Sequence, residues 1–132
     1  MERNRWDESC IPDQKNKVFI VTGPTSGLGL DTTKILAKKN AVVVMAARDV
    51  RKAEYLKREL IRENNTAKLD VKELDLANLK SIQNFFELIK KKYSSIDCLL
   101  NNAGIMACPY SKTIDGFEIQ MGTNHFGHYA LT

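Results

Sequence analysis

The chain has 132 residues, 43% of them apolar and 27% charged, which is enough for one domain with its own core and rules out a low-complexity or fibrous chain. Its longest apolar run, Ala41–Ala47, is far too short for a membrane span. The net charge of +4 suits an anionic small ligand, and no basic stripe interleaved with aromatics points to nucleic acid.

Three cysteines (Cys10, Cys98, Cys108), odd in number and without C-x-x-C spacing, argue against a disulfide framework and against zinc, and no metal site is expected. Cys98 lies in an apolar run and reads as a small core residue. Cys108 falls in a loop with no base or cation beside it in sequence.

Residues 1–16 read as a polar arm ahead of a domain spanning 17–132. The arm has no apolar stretch of the kind a secretory signal needs, so a cytoplasmic location is expected. Trp6 either docks on the domain or stands exposed. Lys17–Gly23 is strand one, apolar enough to be buried on both faces. The turn Gly23-Pro-Thr25-Ser26-Gly27-Leu28-Gly29 follows, and Leu28–Lys39 is helix one, with Leu28, Thr32, Ile35 and Leu36 on its inner face. Asn40 can take the left-handed conformation that ends a helix.

Ala41–Ala47 is strand two. Asp49 caps helix two, Val50–Asn64, whose Ala53, Leu56 and Leu60 share a face. Lys68–Leu76 alternates and reads as strand three, nearer an edge. Helix three, Leu79–Tyr93, has an apolar face of Ile82, Phe85, Phe86 and Ile89, with Lys90, Lys91 and Lys92 suiting its carboxyl end. Ile96–Leu100 is strand four, closed by Asn101-Asn102-Ala103-Gly104. Asp115 and Glu118 form a capping-box pattern for a last helix.

Strict β-α alternation predicts parallel strands joined by right-handed crossovers: an α/β, Rossmann-type doubly wound sheet, truncated to the order 3-2-1-4 with flanking helices. A ligand crevice is expected at the carboxyl ends of strands one and four. The glycine turn there suits a pyrophosphate approaching a helix N-terminus. The residue after strand two selects the dinucleotide. Arg48, nineteen positions after Gly29, is basic where an acid would bind ribose hydroxyls, which favours NADP over NAD. Asp75 and Leu76 lie where adenine would stack, although an acid at a strand end needs no ligand. His125 and His128, three apart, share one face of a regular helix, but no third ligand accompanies them.

Thr22-Gly23-x-x-x-Gly27-x-Gly29, Asp75, Asn101-Asn102-Ala103-Gly104 and Asn124 in T-N-H-F-G-H-Y together resemble the short-chain dehydrogenase/reductase family. DGFEIQMGTNHFGHYALT and VVVMAARD resemble its retinol dehydrogenase and WW-domain oxidoreductase branch. The resemblance covers residues 17–132. It implies an NADP(H)-dependent oxidoreductase acting on an alcohol/carbonyl pair, lipophilic by branch. Gly23, Thr25, Ser26, Gly27, Leu28 and Gly29 would hold the pyrophosphate, and Arg48 the 2′-phosphate. Asp75 and Leu76 would meet adenine, and Asn101, Asn102, Ala103 and Gly104 would flank the cofactor. Asn124 would be the first member of an Asn-Ser-Tyr-Lys tetrad, holding a water in its proton relay. Family dimers use the helix that carries Asn124, so a homodimer of a longer form is implied.

The chain departs from the family at one point: no tyrosine is followed four positions on by lysine. The sequence therefore reads as an N-terminal part without the Ser-Tyr-Lys residues. Two functions follow from that, a piece of an oxidoreductase or a non-catalytic product that binds dinucleotide or sequesters a partner. Strand four with an open edge predicts marginal stability for the isolated piece.

Overall fold

The computed structural model describes residues 6–132, so the first five residues of the expected arm lie outside the described residues. Four parallel strands, β1 (Val18–Thr22), β2 (Val42–Ala47), β3 (Lys68–Glu73) and β4 (Cys98–Leu100), form one sheet in the order β3-β2-β1-β4. Val18 to Thr22 align with Val42 to Ala46, and Phe19 to Val21 align with Cys98 to Leu100. The connecting helices are α1 (Gly27–Lys38), α2 (Val50–Glu63) and α3 (Leu79–Lys92). The fold and strand order are those expected, and the ends of the four strands and three connecting helices differ from expectation by at most three residues.

β1 and β2 are apolar almost throughout and β3 alternates apolar with charged residues, and all divide their side chains by the two-residue period of a pleated strand. Val43, Met45 and Ala47 of β2 join Val21, Leu69 and Val71 on one face, against Leu36 and Ala37 of α1 and Ala53 and Leu60 of α2. Val44 and Ala46 face the other way with Ile20, against Ile82, Phe85 and Ile89 of α3. Phe85 is among the largest fully buried side chains. Burying a phenylalanine of this kind is worth roughly 1.5–3 kcal/mol.

Local signals set the helix ends. Asn40 is left-handed (φ 66°), and the amides of Asn40 and Ala41 bond Ala37 O and Leu36 O, a closed C-terminal cap that turns the chain into β2. Asp49 accepts from Lys52 N at 3.0 Å, as its position predicts. Asn78 accepts from Lys80 N and Ser81 N to start α3. The end of the arm packs against this frame. Gln14 is buried, with its amide on Lys39 O at 2.7 Å, while Trp6 is exposed.

Four packing expectations need correction. Leu28 is 79% exposed, because the first turn of α1 stands at the mouth of the crevice and its buried face runs instead through Gly29, Thr33, Leu36 and Ala37. Phe86 is exposed, with the Lys90 ammonium 5.8 Å from its ring centre; α3 buries a narrower stripe than the sequence suggests. Cys98 is exposed because β4 pairs with β1 on one side only. Asp115 and Glu118 do not share one capping box. Glu118 accepts from Gln120 N and Met121 N, whereas Asp115 reaches across to accept from Leu79 N at 2.9 Å, in the first turn of α3.

The last segment is composite: α4 (Ile119–Met121), a π-helical turn (Gly122–Phe126) and α5 (Gly127–Leu131). Gly127 is the point of closest approach, since a Cβ there would lie 2.2 Å from Leu76 O.

Candidate dinucleotide site

A cleft of about 560 Å³ opens at the carboxyl ends of the strands. Gly23, with φ +65°, makes the first turn, where a side chain would strike Ala103. Gly29 is enclosed more tightly: a Cβ would lie 2.2 Å from Gly23 O and 2.4 Å from Asn102 Nδ2. Ser26 precedes α1 without a side-chain cap, leaving the first-turn N–H groups without a side-chain acceptor at the cleft.

Of the residues expected to hold a cofactor, Gly23, Thr25, Ser26, Leu28, Gly29, Arg48, Asp75, Leu76, Asn102, Ala103 and Gly104 line this cleft. Gly27 and Asn101 do not. Gly27 (φ +52°) has open space where a side chain would be, and Asn101 donates to Thr132 Oγ1 at 3.0 Å. Arg48 is exposed on the wall, and among the described residues it forms no ion pair. Its neighbour Asp49 is engaged in capping α2. One Asp75 oxygen accepts from Ala77 N at 2.9 Å, and the Asp75 amide donates to Ser81 Oγ. Asp75 is therefore both a structural acid at a strand end and part of the cleft wall.

Beneath the cleft, Asn102 Nδ2 donates to Thr22 O (2.9 Å) and Gly23 O (3.3 Å), tying strand four's end to strand one's. Asn124 lies just beyond. Its side chain is clamped at both ends to Ile105, Oδ1 accepting from Ile105 N at 2.8 Å and Nδ2 donating to Ile105 O at 2.7 Å. The two histidines do not share a face. His128 turns inward to Thr22, while His125 lies against the rings of Phe126 and Tyr129.

Among the cleft residues that escape the sequence reading, two carry polar groups of consequence. Lys52 adds a second cation to the cleft lining that holds Arg48, and its only signal was a basic residue in the first turn of the helix that Asp49 caps. Thr123 lines the cleft with its hydroxyl buried and unpartnered among the described residues. It was hidden because the π turn displaces it from where a regular helix would put it.

Parallel β-α units in the order 3-2-1-4, with a glycine turn at the switch between strands one and four, define a Rossmann-type nucleotide-binding fold. A short chain dehydrogenase profile matches residues 17–132, and the chain belongs to that family. It is 47% identical over 116 residues to retinol dehydrogenase 11 of Mus musculus, covering 88% of this chain and 37% of that protein. The crystal structure of an uncharacterised Mycobacterium paratuberculosis protein matches with a TM-score of 0.84 at 44% identity, over 96% of this chain and 44% of that one. A Shigella flexneri short chain dehydrogenase complexed with NADP shares the fold (TM-score 0.76, 22% identity), over 92% of this chain and 53% of that one. The chain thus spans little more than a third of the curated relative it matches. Among the described residues, no helix is long and apolar enough to cross a membrane.

Proposed function

We propose that this chain binds NADP(H) and forms the cofactor-holding part of an oxidoreductase that interconverts an alcohol and a carbonyl. The observation that carries the reading is the cleft lining, which Arg48 and Lys52 share with the glycine turn, with no ion pair to either among the described residues and with Asp49 engaged in capping α2. Two cations in this position suit a 2′-phosphate, and an arginine fork suits it best. The cleft fits the rest of a dinucleotide as well. Gly29 leaves the turn closed tightly on itself, Ser26 leaves the first-turn amides to an anion, and the Thr123 hydroxyl still needs a partner.

Asp75 and Leu76 would receive the adenine, Gly23 to Gly29 the pyrophosphate, and Ala103 and Gly104 the nicotinamide ribose. When bound, the nicotinamide supplies hydride transfer. Asn124, fixed by Ile105, would hold a water for the proton that moves with the alcohol oxygen. Residues 17–132 do not offer the Tyr and Lys members of such a tetrad, since no tyrosine there is followed four positions on by lysine. The resemblance to retinol dehydrogenase 11 supports a lipophilic alcohol as substrate of the longer protein.

Titrating the chain with NADPH and with NADH, read by nicotinamide fluorescence, tests this. NADPH should bind at least about tenfold tighter, because charge-assisted hydrogen bonds of 1.5–3 kcal/mol convert to about 10- to 150-fold in affinity. Arg48→Ala should remove most of that preference and leave NADH nearly unchanged. Equal affinity for the two cofactors, or an unaltered preference in the variant, would overturn the assignment.

A further inference from the structure

His128 is buried at 7% exposure, and both its ring nitrogens have partners. Nδ1 lies 3.0 Å from the main-chain oxygen of Asn124, and Nε2 lies 2.9 Å from Thr22 Oγ1. A carbonyl oxygen only accepts, so Nδ1 must carry the proton. In the neutral ring Nε2 then has a lone pair, and Thr22 must donate to it.

The environment of Thr22 leads to the same tautomer independently. Its hydroxyl oxygen already accepts from two amides, Asn102 N and Ala103 N, each at 2.9 Å. Both lone pairs are used, and its single proton remains to be given. Leu100 O is 3.2 Å away, and His128 Nε2 is closer. A proton on Nε2 would point at an oxygen with nothing left to accept it. Every bond in the series therefore runs in one direction: the amides of Asn102 and Ala103 to Thr22, Thr22 to His128, His128 to the carbonyl of Asn124. Aligned bonds of this kind polarise one another, more strongly where water is excluded.

We propose that His128 is a positioning residue. Held by Thr22 as the Nδ1–H tautomer, it fixes the main-chain carbonyl of Asn124, so that the strand ends under the cleft and the turn bearing Asn124 form one rigid unit. The link reaches residues 80 and 106 positions apart in sequence from Thr22, and it meets the last segment at the end of its π turn. The tautomer and the coupling stand on geometry alone; their service to a proton relay rests on the proposed reading of Asn124.

Nuclear magnetic resonance of the chain carrying ¹⁵N-labelled histidine decides the matter without any variant. Long-range ¹H–¹⁵N spectra should show His128 with a protonated Nδ1 and a bare Nε2, the reverse of the tautomer that predominates in a free imidazole side chain. Thr22→Val should shift the Nε2 resonance, which loses its donor, and move the Asn124 carbonyl carbon upfield, and Thr22→Ser should restore both. An Nε2–H tautomer in the unmodified chain, or spectra that Thr22→Val leaves unchanged, would refute the proposal. A run with NADPH separates the two readings: loss of cofactor binding with the tautomer intact counts against the function proposed above and leaves this coupling standing.

Discussion

Replacing Gly29 with alanine tests whether the glycine turn is closed by contact or merely by habit of sequence. The added Cβ would lie 2.2 Å from Gly23 O, 2.4 Å from Asn102 Nδ2 and 3.0 Å from Gly23 C. Non-bonded heavy atoms settle near about 3.5 Å, so the shortfall against the carbonyl is about 1.3 Å. Asn102 could swing away only by giving up its bonds to Thr22 O and Gly23 O. Gly23 O is backbone and yields only if the whole turn moves. Overpacking plus about one lost hydrogen bond sums to about 2–4 kcal/mol. Gly27 supplies the control: its φ is +52°, but nothing lies within 4 Å of a Cβ there. Gly27→Asn, which tolerates that conformation, should cost less than about 1 kcal/mol. Urea unfolding reads both, and a 3 kcal/mol loss lowers the midpoint by about 1.5 M at an m-value near 2 kcal/mol/M. Equal midpoints for the two variants would refute the argument that Gly29 is a packing requirement.

Other outcomes follow from named contacts. Burial raises the Asp70 carboxyl, but hydrogen bonds from Lys72, Lys92 and Tyr93 outweigh it and hold the group below the usual carboxylate range. A carboxyl lowered on folding stabilises above its unfolded value of about 3.9 and loses that contribution as pH falls through the folded value. Asp70→Asn should therefore flatten the acid limb of a stability–pH curve. Burial, and then the bond to Asp70, push the Tyr93 phenol above its ordinary range, so its contribution is lost only as pH rises beyond about 10, and Tyr93→Phe should flatten that alkaline limb. Asp115→Ala should cost about 0.5–2 kcal/mol in thermal unfolding, the range for a lost helix cap, and Asp115→Asn should recover part of it. Gly127→Ala should destabilise by at least about 1–3 kcal/mol, since its Cβ would meet Leu76 O, and a melting temperature equal to the parent's would count against that contact.

The sheet was readable because its signals are local and mutually consistent. Apolar runs such as Val42–Ala47 and caps such as Asn40 and Asp49 depend on a few neighbouring residues, and alternation alone then constrains the topology. The glycine turn, Arg48 and the Asn102 loop were readable too, because their spacing reports where a strand ends. What stayed hidden depends on partners distant in sequence. Asp115 looked like a cap for the helix that follows it, and its partner is Leu79, 36 positions earlier. Cys98 looked like core because its run is apolar, although exposure is set by which strands stand beside it. The His125–His128 pair was misread and Thr123 passed over for a shared reason, the assumption of a regular helix.

In the last segment, the buried pairs Gly122 and Gly127, and Thr123 and His128, are each five residues apart. On an α-helix of about 3.6 residues per turn, positions five apart point about 140° away from each other. The π turn cancels most of that difference, so α4 and α5 keep a common inward side even though their residue patterns are out of phase. The segment therefore behaves as a phase shifter. Removing one residue from 123–126 would give a smoother helix with better local bonding, and would rotate either the Thr113 contact of Gly122 or the Leu76 contact of Gly127 out of place. Local regularity and global fit are in opposition here, and the chain has resolved it in favour of fit, at the turn that presents Asn124.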